Sequence, residues 1–383
     1  QAERILEGGY VDLVGMTRAH IADPHLIAKI KMGQVDQIKQ CVGANYCIDR
    51  QYQGLDVLCI QNAATSREYM GLPHIIEQTE GKKRKVVVVG GGPGGMEAAR
   101  VAAERGHEVT LFEASDQLGG QITIASKAPQ RDQIAGITRW FQLELDRLKV
   151  DQRLGTRADE ATILDLRPDI VVLATGGRPY LEQHEEWGYS ENAEESLVVS
   201  TWDILNGKVE PGKNVLIYDA LCEFSGMSAA DYLADKGAKV EIVTDDIKPG
   251  AAVGGTTFPT YYRSLYKKEV IMTSDMMLHK VYREGDSLVA VLENEYTGTQ
   301  EERVVDQVVV ENGVRPDEAL YYALKDRSRN KGQVDLEALY AIKPQPCLSE
   351  EGDEPLLFRL GDCTAPRNTH AAIYDALRLC KDF

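Results

Sequence analysis

Short, uninterrupted apolar runs alternate with longer segments of helical spacing along most of this chain. Lys85-Val-Val-Val-Val89 and Ile170–Ala174 are runs of the first kind. Strands buried on both faces of a parallel sheet read this way. A helix is expected over 96–105, stopped by Gly106, and a strand over 108–112 then completes a β-α-β unit. From Asn214 the pattern returns, with a strand over 214–218, a helix over 228–236 stopped by Gly237, and a strand over 239–244. These two units are the only internal repeat. Residues 277–310 read as short alternating strands, among them 288–292 and 304–310, with polar turns between. A last helix is expected over 371–383. Near the start, a helix over 1–6, a strand over 10–16 and a helix over 24–32 precede a cysteine-bearing loop, 41–62. The polar stretch 77–84 reads as a linker.

The turn after the first strand is Gly90-Gly-Gly-Pro-Gly-Gly95, which matches G-x-G-x-x-G at Gly90, Gly92 and Gly95. Gly90 permits the tight turn, Gly92 lets the backbone approach a pyrophosphate, and Gly95 lets helix and strand pack closely. The helix N-terminus then faces the phosphates with its partial positive charge. Glu113 closes the second strand 18 residues after Gly95, where an acid binds ribose hydroxyls. Strand, helix, acid and the downstream Ala174-Thr-Gly-Gly177 together make a specific signal for an adenine dinucleotide. The equivalent loop of the second unit, Asp219-Ala-Leu-Cys-Glu-Phe-Ser-Gly226, is degenerate. Asp219 stands where the first glycine belongs and Glu223 adds another carboxylate. Both would repel a pyrophosphate.

Cys41, Cys47 and Cys59 fall within 19 residues. Their spacing suits iron–sulfur or zinc ligation, or three buried thiols in a loop, and only three ligands are present in the run. Cys222, Cys347, Cys363 and Cys380 are dispersed and read as buried thiols. The seven histidines form no H-x-x-H or H-E-x-x-H pattern. Met276-Met277 reads as core filling. The acidic pairs Glu185-Glu186, Glu194-Glu195 and Glu350-Glu351 read as solvated loops.

The 383 residues suggest two or three domains at about 150 each. Lysine and arginine number 43 against 60 aspartates and glutamates, a net charge of −17. That balance argues against nucleic acid and against an anionic membrane surface. No apolar run reaches about 18 residues, so no transmembrane helix is expected. An odd cysteine count in a chain of cytoplasmic character argues against a disulfide framework. The chain opens without Met inside an expected helix, so it is expected to be part of a longer polypeptide.

Taken together, these pieces resemble the trimethylamine dehydrogenase and 2,4-dienoyl-CoA reductase group of FMN iron–sulfur flavoproteins. The resemblance covers essentially the whole chain. Gly9-Tyr-Val-Asp-Leu-Val-Gly-Met-Thr-Arg18 and Ala22-Asp-Pro24 are similar to the last strand and helix of that group's FMN-binding TIM barrel. The resemblance places Arg18 beside the FMN phosphate, and most of the barrel, with its catalytic residues, outside this chain. The group's cluster loop carries four cysteines. Cys41, Cys47 and Cys59 match three of them, and Ala44 stands at the other position. A 4Fe-4S site is therefore altered, and a three-iron cluster, an iron with another ligand, or no metal are all open. Leu118-Gly119-Gly-Gln121 and the closing Gly361-Asp362 resemble the group's FAD- or ADP-binding domain.

The implied fold class is α/β: a doubly wound dinucleotide-binding domain with an inserted, smaller Rossmann-like domain, preceded by the end of a TIM barrel. The expected division is 1–80 for barrel end and cysteine loop, 81–205 plus 325–383 for the FAD/ADP domain, and 206–324 for the degenerate domain. The spoiled loop at 219–226 favours the dehydrogenase branch, in which electrons leave to an electron-transfer flavoprotein. The wording Cys-Val-Gly-Ala-Asn-Tyr-Cys-Ile-Asp-Arg50 resembles demethylases of N-methylated glycine or proline. A small amine substrate and a homo-oligomer are expected. Two other readings stay open: an NADPH-dependent reductase of enoyl thioesters, and a nucleotide-binding scaffold without catalysis.

Overall fold

The computed structural model describes residues 1–192 and 195–383, so Glu194 of the second acidic pair lies outside the described residues. Among the described residues, five parallel strands form a first sheet in the order Leu356–Arg359, Ile170–Leu173, Lys85–Val89, Glu108–Phe112, Asp151–Arg153. Its central strands are apolar throughout because both faces are covered. Val86 and Val88 point into one cluster with Met96, Ile137, Phe141 and Phe358. Val87 and Val89 point into another with Phe112, Ile163 and Leu173. Each such side chain taken fully from water contributes about 1.5–3 kcal/mol.

A second five-stranded parallel sheet repeats the plan in the order Val198–Ser200, Gln307–Glu311, Asn214–Asp219, Lys239–Val243, Ile271–Thr273. Val215 and Ile217 face one cluster, Leu216 and Tyr218 another. A three-stranded antiparallel sheet, Met276–Glu284, Ser287–Asn294 and Gln300–Val305, packs on the second of these faces. The short antiparallel pair Gly177–Pro179 and Val314–Pro316 lies where the chain enters and leaves this unit. The α/β doubly wound reading holds, with the smaller unit inserted into the larger. Strand Val198–Ser200, placed by the sequence in the first domain, pairs with Val308–Val310 of the second sheet.

Four expectations need correcting. No strand forms over 10–16, where Tyr10 and Leu13 are exposed. Strand backbone needs a ladder partner, and none of the described residues supplies one. The apolar run 304–310 is two strands, divided at Asp306. The Asp306 carboxylate accepts the Asn214 N–H at 2.8 Å, and its own N–H donates to the Asn214 carbonyl. The chain crosses from one sheet to the other there. Met276 is core, but Met277 is exposed. The last helix, Thr369–Cys380, ends earlier than expected, and Phe383 turns back to stack on Phe358.

Candidate functional site: a glycine cradle and its closed counterpart

The first site is built where strand Lys85–Val89 turns into helix Pro93–Glu104. Gly90 has φ +107°, and a Cβ there would lie 2.2 Å from the Ala174 carbonyl oxygen. A Cβ on Gly95 would lie 1.8 Å from the Gly90 carbonyl oxygen. Both positions need glycine so that helix and strand can meet. Gly92 differs: a Cβ there would meet nothing within 4 Å and would project into open space. It caps the helix with Pro93 at the first turn, so the free N–H groups of that turn face the same space.

The other predicted residues converge on this loop. The Glu113 carboxylate accepts the Gly91 N–H at 2.6 Å with one oxygen and the Ser115 N–H at 2.7 Å with the other. Gly119, φ +123°, donates its N–H to the Gly91 carbonyl at 2.9 Å. The Gln121 amide donates to Asp362 at 2.8 Å and ties the 118–121 turn to the closing motif. Burial pushes the Asp362 carboxyl above its ordinary range, although the Arg367 N–H and Gln121 oppose that shift. Gly361, φ +64°, sits against Ala372 of the last helix. The cradle is open at Gly92, walled by Glu113 and Asp362, and lined by helix N–H groups. It fits an adenine nucleotide with a pyrophosphate. A recess of about 220 Å³ near Lys85, Glu108 and Asp151 lies at the N-terminal ends of the strands. That is the wrong end of a doubly wound sheet for a ligand.

The second loop is closed by its own side chain. One oxygen of Asp219 accepts the N–H groups of Leu221 at 3.3 Å and Cys222 at 3.0 Å. The other presses on Gly226, where a Cβ would lie 2.3 Å from it, and has no hydrogen-bond partner. The carboxylate has taken loop N–H donors that would face a phosphate. Burial, then the nearby Glu311, push Asp219 up to about 8. Burial raises Glu311 and Glu223 as well. The sequence indicates repulsion at this loop, but not that the carboxylate folds inward.

The cysteine loop forms a separate region. Cys41, Cys47, Cys59, Ala44 and Arg18 line one cavity of about 20 Å³. Among the described residues, no three His, Cys, Asp or Glu side chains converge as a metal-binding set. Ala44, which offers no ligand atom, also packs against the main core. The residues present do not fit a four-iron cluster. Arg18 lies at this exposed rim, away from the glycine cradle.

Sequence reasoning missed two positioning groups. Asp375 accepts the Gly361 N–H at 3.3 Å and pairs with Arg367 and Arg378. Asp49 accepts the Thr256 N–H and hydroxyl and docks the cysteine-loop helix Tyr46–Tyr52 on the second unit. Neither belongs to a motif. The signal for each is only a buried carboxylate.

The sequence pattern of the pyridine nucleotide-disulphide oxidoreductase family matches residues 84–376. The chain is 84% identical over 387 residues to the N,N-dimethylglycine/sarcosine dehydrogenase of Chromohalobacter salexigens, covering all of this chain and 56% of that protein. It is 44% identical over 381 residues to a probable N-methylproline demethylase of Rhizobium meliloti, covering 55% of that protein. A solved 2-naphthoyl-CoA reductase superposes on the whole chain with a TM-score of 0.81 at 26% identity, covering 52% of that chain. The chain thus spans about half the length of the curated relatives it matches. These relatives bear out the resemblance to amine dehydrogenases and N-methyl demethylases. No helix among the described residues is long and apolar enough to cross a membrane.

Proposed function

The chain belongs to the pyridine nucleotide-disulphide oxidoreductase family, and on that premise we propose that it is the nucleotide-holding part of a flavin-dependent amine dehydrogenase or demethylase. The substrates are N-methylated amino acids of the dimethylglycine, sarcosine or N-methylproline type. One observation carries the direction of electron flow: the first loop is an open cradle, while the second is closed by Asp219. A nicotinamide dinucleotide has no seat in the second unit. Electrons therefore enter from the amine and leave to an electron-transfer flavoprotein or similar acceptor.

Gly90, Gly92 and Gly95 with the helix N-terminus hold the pyrophosphate of FAD or ADP, and Glu113 holds its ribose. Gly119, Gln121, Gly361 and Asp362 shape the far side of the cradle. Arg18 reaches the phosphate of FMN, which is mostly bound by a barrel outside this chain. A bound flavin supplies the acceptor for a hydride from the N-methyl carbon, and water hydrolyses the resulting iminium to aldehyde and demethylated amine. The nucleotide unit takes residues 81–176 and 317–383, and the second unit the residues between. We place the enzyme in the cytoplasm as a homo-oligomer.

The alternative is an NADPH-driven reductase, favoured by the 26% identical reductase structure. Full-length protein is mixed anaerobically with dimethylglycine, N-methylproline, NADH or NADPH while flavin absorbance is followed. Bleaching by the amine and not by the nicotinamides is expected. Rapid bleaching by NADPH with none by the amines overturns the proposal.

A further inference from the structure

The cysteine loop holds together without a metal. Lys39 donates its ammonium to the Gln61 carbonyl at 3.0 Å, and the Gln61 side-chain amide donates to the Gln40 carbonyl. Asn62 donates to the carbonyls of Ile21 and Ala22 at 3.2 Å. These bonds join the arm before Cys41 to the arm after Cys59. His370 bonds the Cys59 carbonyl at 2.6 Å through Nδ1, and Arg67 at 2.8 Å through Nε2. A carbonyl can only accept, so Nδ1 carries the proton and Nε2 accepts from the guanidinium. Lys39 also sits 3.9 Å from the centroid of the Trp140 ring, which holds its long stem in place. A metal cluster would otherwise supply these cross-links.

The cavity among the three thiols measures about 20 Å³. That is room for a single water, which needs roughly 10–15 Å³. Gln61 lines this cavity, is 2% exposed, and its side-chain oxygen has no protein partner. A water there would donate to that oxygen. Ala44, at the position of the absent thiol, lines the same cavity and offers it only a methyl group.

We propose that the loop of Cys41, Cys47 and Cys59 is a metal-free, hydrated structural staple, and that Ala44 is the residue that removes the iron–sulfur cluster. It follows that electrons leaving this enzyme are not relayed through an iron–sulfur cluster at this site. The claim is independent of the substrate assignment, because its test reads metal and not turnover.

Full-length wild type and Ala44→Cys are treated in parallel with ferrous iron and sulfide under anaerobic conditions, then desalted. Iron and acid-labile sulfide are counted per chain, and reduced samples are examined by electron paramagnetic resonance. Wild type is expected to hold neither iron nor sulfide above background and to give no cluster signal. Ala44→Cys is expected to gain on the order of four irons per chain. The thermal midpoint of wild type should not move with an iron chelator. Stoichiometric iron and sulfide in wild type, or a midpoint lowered by the chelator, overturns the proposal. An Ala44→Cys protein that stays free of iron overturns the role given to Ala44.

Discussion

Asp219 and Glu311 are paired in register on adjacent parallel strands of the second sheet, and both carboxyl groups are buried. They stand at the carboxyl end of those strands, where a doubly wound sheet binds its ligand. In the first sheet the corresponding ground is held by Gly90 and the backbone beside Ala174. One copy of the unit has kept room for phosphate. In the other, Asp219 bonds the loop N–H groups of Leu221 and Cys222, and Thr201 donates its hydroxyl to Glu311.

This pair makes stability depend on pH. Asp219 titrates near 8 when folded against an ordinary value of 3.8. The folded state therefore holds a proton that the unfolded state has released between those values. Its contribution is complete in acid and is lost as pH rises toward 8. Between pH 6.5 and 8, above the window in which His370 acts in the opposite sense, the thermal midpoint of wild type should fall. It should fall less steeply in Asp219→Asn, which keeps an oxygen for the two N–H groups. Equal slopes in both proteins would refute this.

Gly92 and Gly95 should fail differently. The Cβ of Gly95→Ala meets the Gly90 carbonyl, backbone against backbone, at a cost of about 2–4 kcal/mol. The Cβ of Gly92→Ala meets nothing, so that protein should melt like wild type. It should nevertheless lose adenine nucleotide affinity by about tenfold or more, since the methyl would stand where the proposed pyrophosphate site lies. Calorimetric melting and nucleotide titration read both effects.

Glu113→Gln keeps an acceptor for the Gly91 N–H and should fold normally. It loses the charge proposed to bind the ribose hydroxyls. The expected cost is about 1.5–3 kcal/mol, or roughly 10- to 100-fold in nucleotide affinity. The same titration, run on the two proteins side by side, checks it.

His370 sets an acid limit. Burial pushes it down to about 4 from an ordinary 6.5. The unfolded chain takes up a proton near 6.5 that the fold refuses until about 4, so stability falls as pH drops through that window. His370→Gln can still bond the Cys59 carbonyl, and its melting temperature relative to wild type should rise as pH drops from 7 to 5.

The glycine cradle was legible in the sequence because backbone geometry at Gly90 and Gly95 admits no other residue, and Glu113 follows at the spacing a β-α-β unit fixes. The two apolar strand patterns were legible because burial on both faces leaves no polar position. The supposed strand over 10–16 misled because a short apolar stretch says nothing about a ladder partner. The division at Asp306 was missed although Asp306-Gln307 interrupts the apolar residues of 304–310. The inward turn of Asp219 and the Asp375 contact with Gly361 depend on side-chain placement, which no spacing encodes.

The count of adenine nucleotides per chain tests the central claim most directly. Full-length protein is denatured, its released nucleotides are separated and quantified, and the intact protein is titrated calorimetrically with NADPH. The account predicts one FAD or ADP per chain and no heat from NADPH. Two dinucleotide sites per chain, with NADPH binding undiminished in Glu113→Gln, would contradict it.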